Sequence, residues 1–262
     1  MVRGLDIFRE RFREFKEGFV LIGGAACDDW FSRQNLDFRA TRDLDIVLLI
    51  HALDQRFVAA FRAFIDEGGY AVRQRSDETP ILYRFAKPND IRFPAMLELF
   101  SRDPEVFELA DGQTIIPVGS PLNEPSLSAI LLDAAYATLV EREQVDSDGL
   151  HFASVAALIP LKARAWLDLS QRRGHGEMID SKDIDKHRSD VFRLAATLPD
   201  VPGPVLPAPV REDLEQFLAA FPESSPEWPR ILSALKAIFG GGLRPERLLA
   251  AVRTYFRIPN NF

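Results

Sequence analysis

The chain has 262 residues, 47% hydrophobic and 27% charged, ordinary values for a folded protein of one or two domains, which excludes disorder of the whole chain. The formal net charge of −7 is spread without a basic arm, which argues against constitutive binding to duplex DNA. A single cysteine (Cys27), a mixed-charge opening unlike a secretory leader, and no apolar run near the ~18 residues of a membrane span lead us to expect a cytoplasmic protein without a membrane segment.

In chain order, apolar residues at Leu5, Phe8, Phe12 and Phe15 predict a helix over 5–16. The β-rich run Phe19-Val20-Leu21-Ile22 reads as a short strand ended by Gly23-Gly24, and 25–34 as a helix. The apolar run 46–50 predicts a buried central strand, and 52–67 a helix closed by Gly68-Gly69. Strands are expected at 70–75, 81–85 and 91–100, the last two joined as a hairpin by Lys87-Pro88-Asn89-Asp90. The second half predicts helices at 126–143, 154–172, 181–198, 210–221, 228–239 and 244–256, with the proline-rich stretch 199–209 as a linker or surface strap. The expectation is an α+β protein: a mixed sheet flanked by helices over 1–120, then a mostly helical half over 121–262, divided near Pro121.

Asp-x-Asp occurs three times, at Asp43/Asp45, Asp146/Asp148 and Asp183/Asp185. About one such pair is expected by chance, so context has to separate them. Asp146-Ser147-Asp148-Gly149 reads as a polar turn. Asp183 and Asp185 lie in a helical stretch, where residues two apart diverge by roughly 200°. Asp43 and Asp45 open an apolar strand, where a period of two puts both carboxylates on one face. That arrangement suits a divalent cation, which prefers hard oxygen ligands. Upstream, Gly23-Gly24 after a strand lets backbone N–H groups at a helix start approach a phosphate. Downstream, Met96-Leu97-Glu98-Leu99-Phe100 sets one carboxylate in an apolar strand, where its charge needs a partner or a metal. The four histidines show no zinc-ligand spacing.

Together, Leu21-Ile22-Gly23-Gly24, Asp43-Leu44-Asp45-Ile46 and Leu97-Glu98-Leu99 resemble the nucleotidyltransferase superfamily that includes DNA polymerase β. Arg39-Ala40-Thr41-Arg42-Asp43-Leu44-Asp45 more specifically resembles the abortive-infection toxin-type branch, often Arg-x-Ser/Thr-x-Asp-φ-Asp. The stretches 158–163 and 180–190, which carry Lys162 and Lys186, are similar to helical segments of that branch. The likeness covers about residues 15–198.

The resemblance implies two-metal nucleotidyl transfer from an NTP to an acceptor hydroxyl, with Asp43, Asp45 and Glu98 as catalytic metal ligands and two Mg²⁺ ions as cofactors. It also implies nucleotide contacts from Gly23, Gly24, Thr41, Arg42, Lys162 and Lys186, with the helical half completing the cleft. The acceptor is expected to be an RNA end or a protein, in a toxin–antitoxin setting with an antitoxin protein as partner. The alternatives are an antibiotic-type enzyme acting on a small molecule, and a catalytically silent nucleotide-binding module.

Overall fold

The computed structural model describes residues 2–49, 54–74, 80–100, 107–110, 113–115 and 133–259. The fold is α+β, with a mixed sheet and its helices followed by a helical C-terminal half. Described residues up to Ser154 form one compact unit, and those from Val155 form a second.

The first unit opens with α1 (Leu5–Phe12), which tightens into a 3-10 helix over Arg13–Gly18. It continues with β1 (Phe19–Ile22), α2 (Gly23–Ser32), β2 (Asp43–Leu48), α3 (Gln55–Gly68), β3 (Ala71–Gln74), β4 (Pro80–Ala86) and β5 (Met96–Phe100). Then come β6 (Phe107–Ala110), β7 (Gln113–Ile115), α4 (Ala134–Arg142), β8 (Gln144–Ser147) and β9 (Leu150–Ala153). Seven strands share one sheet in the order β3-β4-β5-β2-β1-β9-β8, while β6 and β7 pair with each other. Within the large sheet, β2/β5 and β1/β9 are parallel and the other neighbours antiparallel.

Strand alternation sorts the side chains of β2 and β5 between two faces. Leu44 and Ile46 on β2 align with Leu97 and Leu99 on β5, Leu48 follows on the same face of β2, and all five are buried. Phe19 and Phe85 extend that face onto β1 and β4. Rings from α1 and α3 cover it: Phe12 meets Phe19 at 6.3 Å, Phe61 meets Phe85 at 5.5 Å, and Phe8 stacks on Phe12 at 4.4 Å between centroids. Buried aromatic pairs of this kind dominate core energetics. The alternate positions, Asp43, Asp45, Met96 and Glu98, are half-buried on the opposite face.

The second unit contains α5 (Val155–Gly174), α6 (Ser181–Ala195), α7 (Ala208–Ala219), α8 (Trp228–Phe239) and α9 (Pro245–Phe256). Phe192 anchors its core against Phe217, Phe221 and Trp228, and Trp166 packs on Phe217 at 5.3 Å. The proline-rich stretch between α6 and α7 is strapped to α9, where Gly203 N–H donates to the Tyr255 carbonyl at 2.8 Å. Among the described residues no helix is long and apolar enough to cross a membrane.

Several expectations need correction. The strand predicted over 91–100 begins at Met96. The Asp90 carboxylate accepts the Arg92 N–H at 2.9 Å and closes a turn, and Pro94 has no N–H to give a ladder. The sequence pattern missed the β8–β9 hairpin, although its Asp148-Gly149 turn has φ of 51° and 79°, as a two-residue hairpin loop demands. That hairpin carries the first unit through Ser154, well beyond the expected division. Pro121 itself, Ile50, Arg75 and residues 126–132 of the expected fourth helix lie outside the described residues.

Candidate active site

The register places Ile22, Asp45, Glu98 and Arg84 in one row across β1, β2, β5 and β4. Side chains directly opposite on neighbouring strands point to the same side. The row therefore displays Asp45, Glu98 and Arg84 on the face away from the aromatic core. Arg84 Nε donates to Glu98 Oε1 at 2.5 Å, and its Nη2 reaches the same oxygen. Asp43 lies two residues earlier on β2, on the same face, opposite Met96.

Glu98 is the electrostatic centre of the row. Burial pushes its pKa up first, the charge of Asp45 pushes it further, and Arg84 opposes both, leaving it at about 7. Two carboxylates side by side in a partly dry site are short of positive charge.

Gly23 brings a helix start against this pair. Its φ is +64°, and a Cβ built there would lie 1.8 Å from Asp45 Oδ2, so both backbone and space require glycine. The helix α2 begins at this residue, and no side chain caps it, so its positive end lies beside the Asp45 carboxylate. Gly24 does a different job: a Cβ there would meet Thr41 Oγ1 at 2.5 Å, so the missing side chain makes room for Thr41. Thr41 is half-buried and Arg42 exposed. The Arg42 carbonyl accepts the Ala95 N–H at 2.8 Å, which prolongs the β2/β5 ladder toward the loop before β2.

The structure thus brings Asp45, Glu98 and Gly23 together, with Asp43 and the Gly24–Thr41 contact close along the chain. Among the described residues, no group of three or more His, Cys, Asp or Glu is placed to hold a metal ion. The Asp45–Glu98 pair nonetheless fits Mg²⁺, which usually takes one or two carboxylates together with water and substrate phosphates.

The two lysines behave differently from each other. Lys162, on α5, is buried, with its Nζ 3.5 Å from Asp190 Oδ2, and Asp190 also takes Arg193 at 2.8 Å. A phosphate contact by Lys162 would have to break that buried pair. Lys186 is exposed on α6. The other two Asp-x-Asp pairs have local partners, with Asp146 bound to Lys16 at 2.5 Å and Asp185 to Arg188 at 2.9 Å.

Arg84 is the site residue that the sequence reading missed. The signal was available: an arginine between Tyr83 and Phe85 in an apolar strand raises the same question of a partner as Glu98.

No protein-family model matches the chain, and no curated protein matches it either. Among solved structures, the chain is similar to the crystal structure of an antigenic nucleotidyltransferase-like protein from Paracoccidioides brasiliensis. The identity is 17%, covering 90% of this chain and 94% of that one, with a TM-score of 0.43. At that distance the functional reading rests on the site residues alone.

Proposed function

We propose that this protein is a Mg²⁺-dependent nucleotidyltransferase that moves a nucleoside monophosphate from an NTP to an acceptor hydroxyl. The observation that supports this reading is the row itself: Asp45 and Glu98 in register on neighbouring strands, with the glycine-started helix α2 against Asp45. Asp45 and Glu98, joined by Asp43, would hold the cation. Bound there, Mg²⁺ would neutralise phosphate charge and make the acceptor hydroxyl easier to ionise. The backbone N–H groups at the start of α2 would face the triphosphate, where the helix end favours negative charge. Thr41, packed close against Gly24, would fix the loop that leads into β2. The chain supplies no covalent intermediate in this scheme; its residues position and neutralise.

For the acceptor, the Arg39–Asp45 resemblance favours an RNA end or a protein hydroxyl, in a toxin–antitoxin pair. The experiment is incubation of the protein with each α-labelled NTP, Mg²⁺ and total cell RNA or total protein. Label should enter one of these pools, and should vanish with EDTA or with Asp45→Asn. No label in either pool, and none in small molecules, would remove the transferase reading.

A further inference from the structure

Arg84 has no place in the function just proposed, yet it is the most intimate neighbour of the carboxylate pair. Its side chain and that of Glu98 are 18% and 14% exposed, so neither is a solvated surface group. Both guanidinium contacts converge on one oxygen, Glu98 Oε1, so a full positive charge already lies against the carboxylate that would help hold a cation at Asp45 and Glu98. The antiparallel register Arg84↔Glu98 fixes the pairing through the sheet, whereas Asp45 meets Glu98 through the parallel register on the other side. Glu98 therefore lies between an acid that repels its charge and a base that holds it.

We propose that Arg84 is a built-in counter-cation of this site: it neutralises Glu98 in the metal-free protein and competes with a divalent ion for that carboxylate. This rests on the nucleotidyltransferase reading only in taking Asp45 and Glu98 as ligands of a divalent ion. Such a competitor keeps the buried acids tolerable without metal, and it sets the concentration at which metal loads. A freed guanidinium at the rim of the site would then be available to phosphate oxygens, for which its planar fork is suited. Arg84 is accordingly a positioning residue.

The test is Mn²⁺ binding to the full chain, measured by calorimetry and by the EPR signal of the free ion, alongside melting in EDTA. Arg84→Met keeps much of the stem and removes the charge. It should melt lower than wild type in EDTA yet, compared at a pH high enough to ionise Glu98 in both proteins, bind Mn²⁺ roughly tenfold more tightly, because a unit positive charge has left the site. Arg84→Lys keeps the charge but loses the fork, so its affinity should fall between the two. It also serves as the test should Arg84→Met fail to fold. In a Glu98→Gln background, Arg84→Met should lose most of this gain. A folded Arg84→Met with unchanged or weaker Mn²⁺ affinity would overturn the proposal while leaving the metal site standing. Absence of Mn²⁺ binding in wild type and variants alike would overturn both.

Discussion

Glu98 makes the metal-free protein sensitive to pH in an unusual direction. Its pKa is raised from the ordinary 4.5 to about 7, chiefly by burial and then by Asp45. The folded protein therefore holds the proton more tightly than the unfolded chain, so ionisation works against the fold. This contribution favours folding below about pH 4.5, declines as pH rises toward 7, and is fully lost above that. A rise from 4.5 to about 7, at about 1.4 kcal/mol per pH unit, corresponds to about 3 kcal/mol. For a protein of this size that is roughly 6–12 °C in Tm. The assay is thermal melting in EDTA between pH 4.5 and 8, for wild type and Glu98→Gln. Other titrating groups act in both proteins, so the difference between the curves isolates Glu98. Glu98→Gln should gain on wild type by about 3 kcal/mol across that window. Its starting level at low pH reflects the weaker partner it leaves for Arg84, and does not alter the slope. Parallel curves would show that Glu98 ionises normally, and the crowded-row account would fail.

Other outcomes follow from the same geometry. Gly149→Ala, at φ +79° with only Arg13 Cβ at 3.8 Å, should lose about 1 kcal/mol from backbone strain alone, read by urea denaturation. Gly23→Ala, at φ +64° and in collision with Asp45 Oδ2, should lose clearly more and also weaken NTP binding; equal losses would place Asp45 elsewhere. Gly24→Val should push Thr41 away, so reduced stability should accompany any loss of NTP affinity; weaker binding at unchanged Tm would instead mean that Gly24 faces the nucleotide. Lys162→Met should destabilise the protein by about 1–2 kcal/mol in chemical denaturation, because it strips one partner from buried Asp190 while Arg193 remains. An unchanged midpoint with weaker NTP binding would make Lys162 a phosphate contact.

Much of this arrangement was legible in the sequence because it depends on period and punctuation. Asp43-Leu44-Asp45-Ile46 and Leu97-Glu98-Leu99 alternate acid and apolar residues, and alternation is what sends Leu44 and Leu97 to the aromatic core while Asp45 and Glu98 face away. The end of α3 was readable because Gly69 closes the backbone at φ 60°, whereas the expected start at 52 falls short of the Asp54 cap that accepts the Phe57 N–H at 2.9 Å. Register between strands distant in sequence was not readable. Nothing in the residues around Arg84 says that it lies opposite Glu98, because that depends on how β4 pairs with β5. The burial of Lys162 beside Asp190 was unreadable for the same reason, since the two residues lie on different helices. The β8–β9 strands are only four residues each, too short for alternation to stand out, and only their turn marked them.

The most direct test of the central claim is calorimetry of a non-hydrolysable NTP analogue against wild type and Asp45→Asn, each with Mg²⁺ and with EDTA. The account predicts that wild type binds far more tightly with Mg²⁺, because a cation held by Asp45 and Glu98 would neutralise the phosphate charge, and that Asp45→Asn loses this dependence. Equal affinity with and without Mg²⁺ in wild type, or an Asp45→Asn variant that keeps the full Mg²⁺ effect, would contradict it.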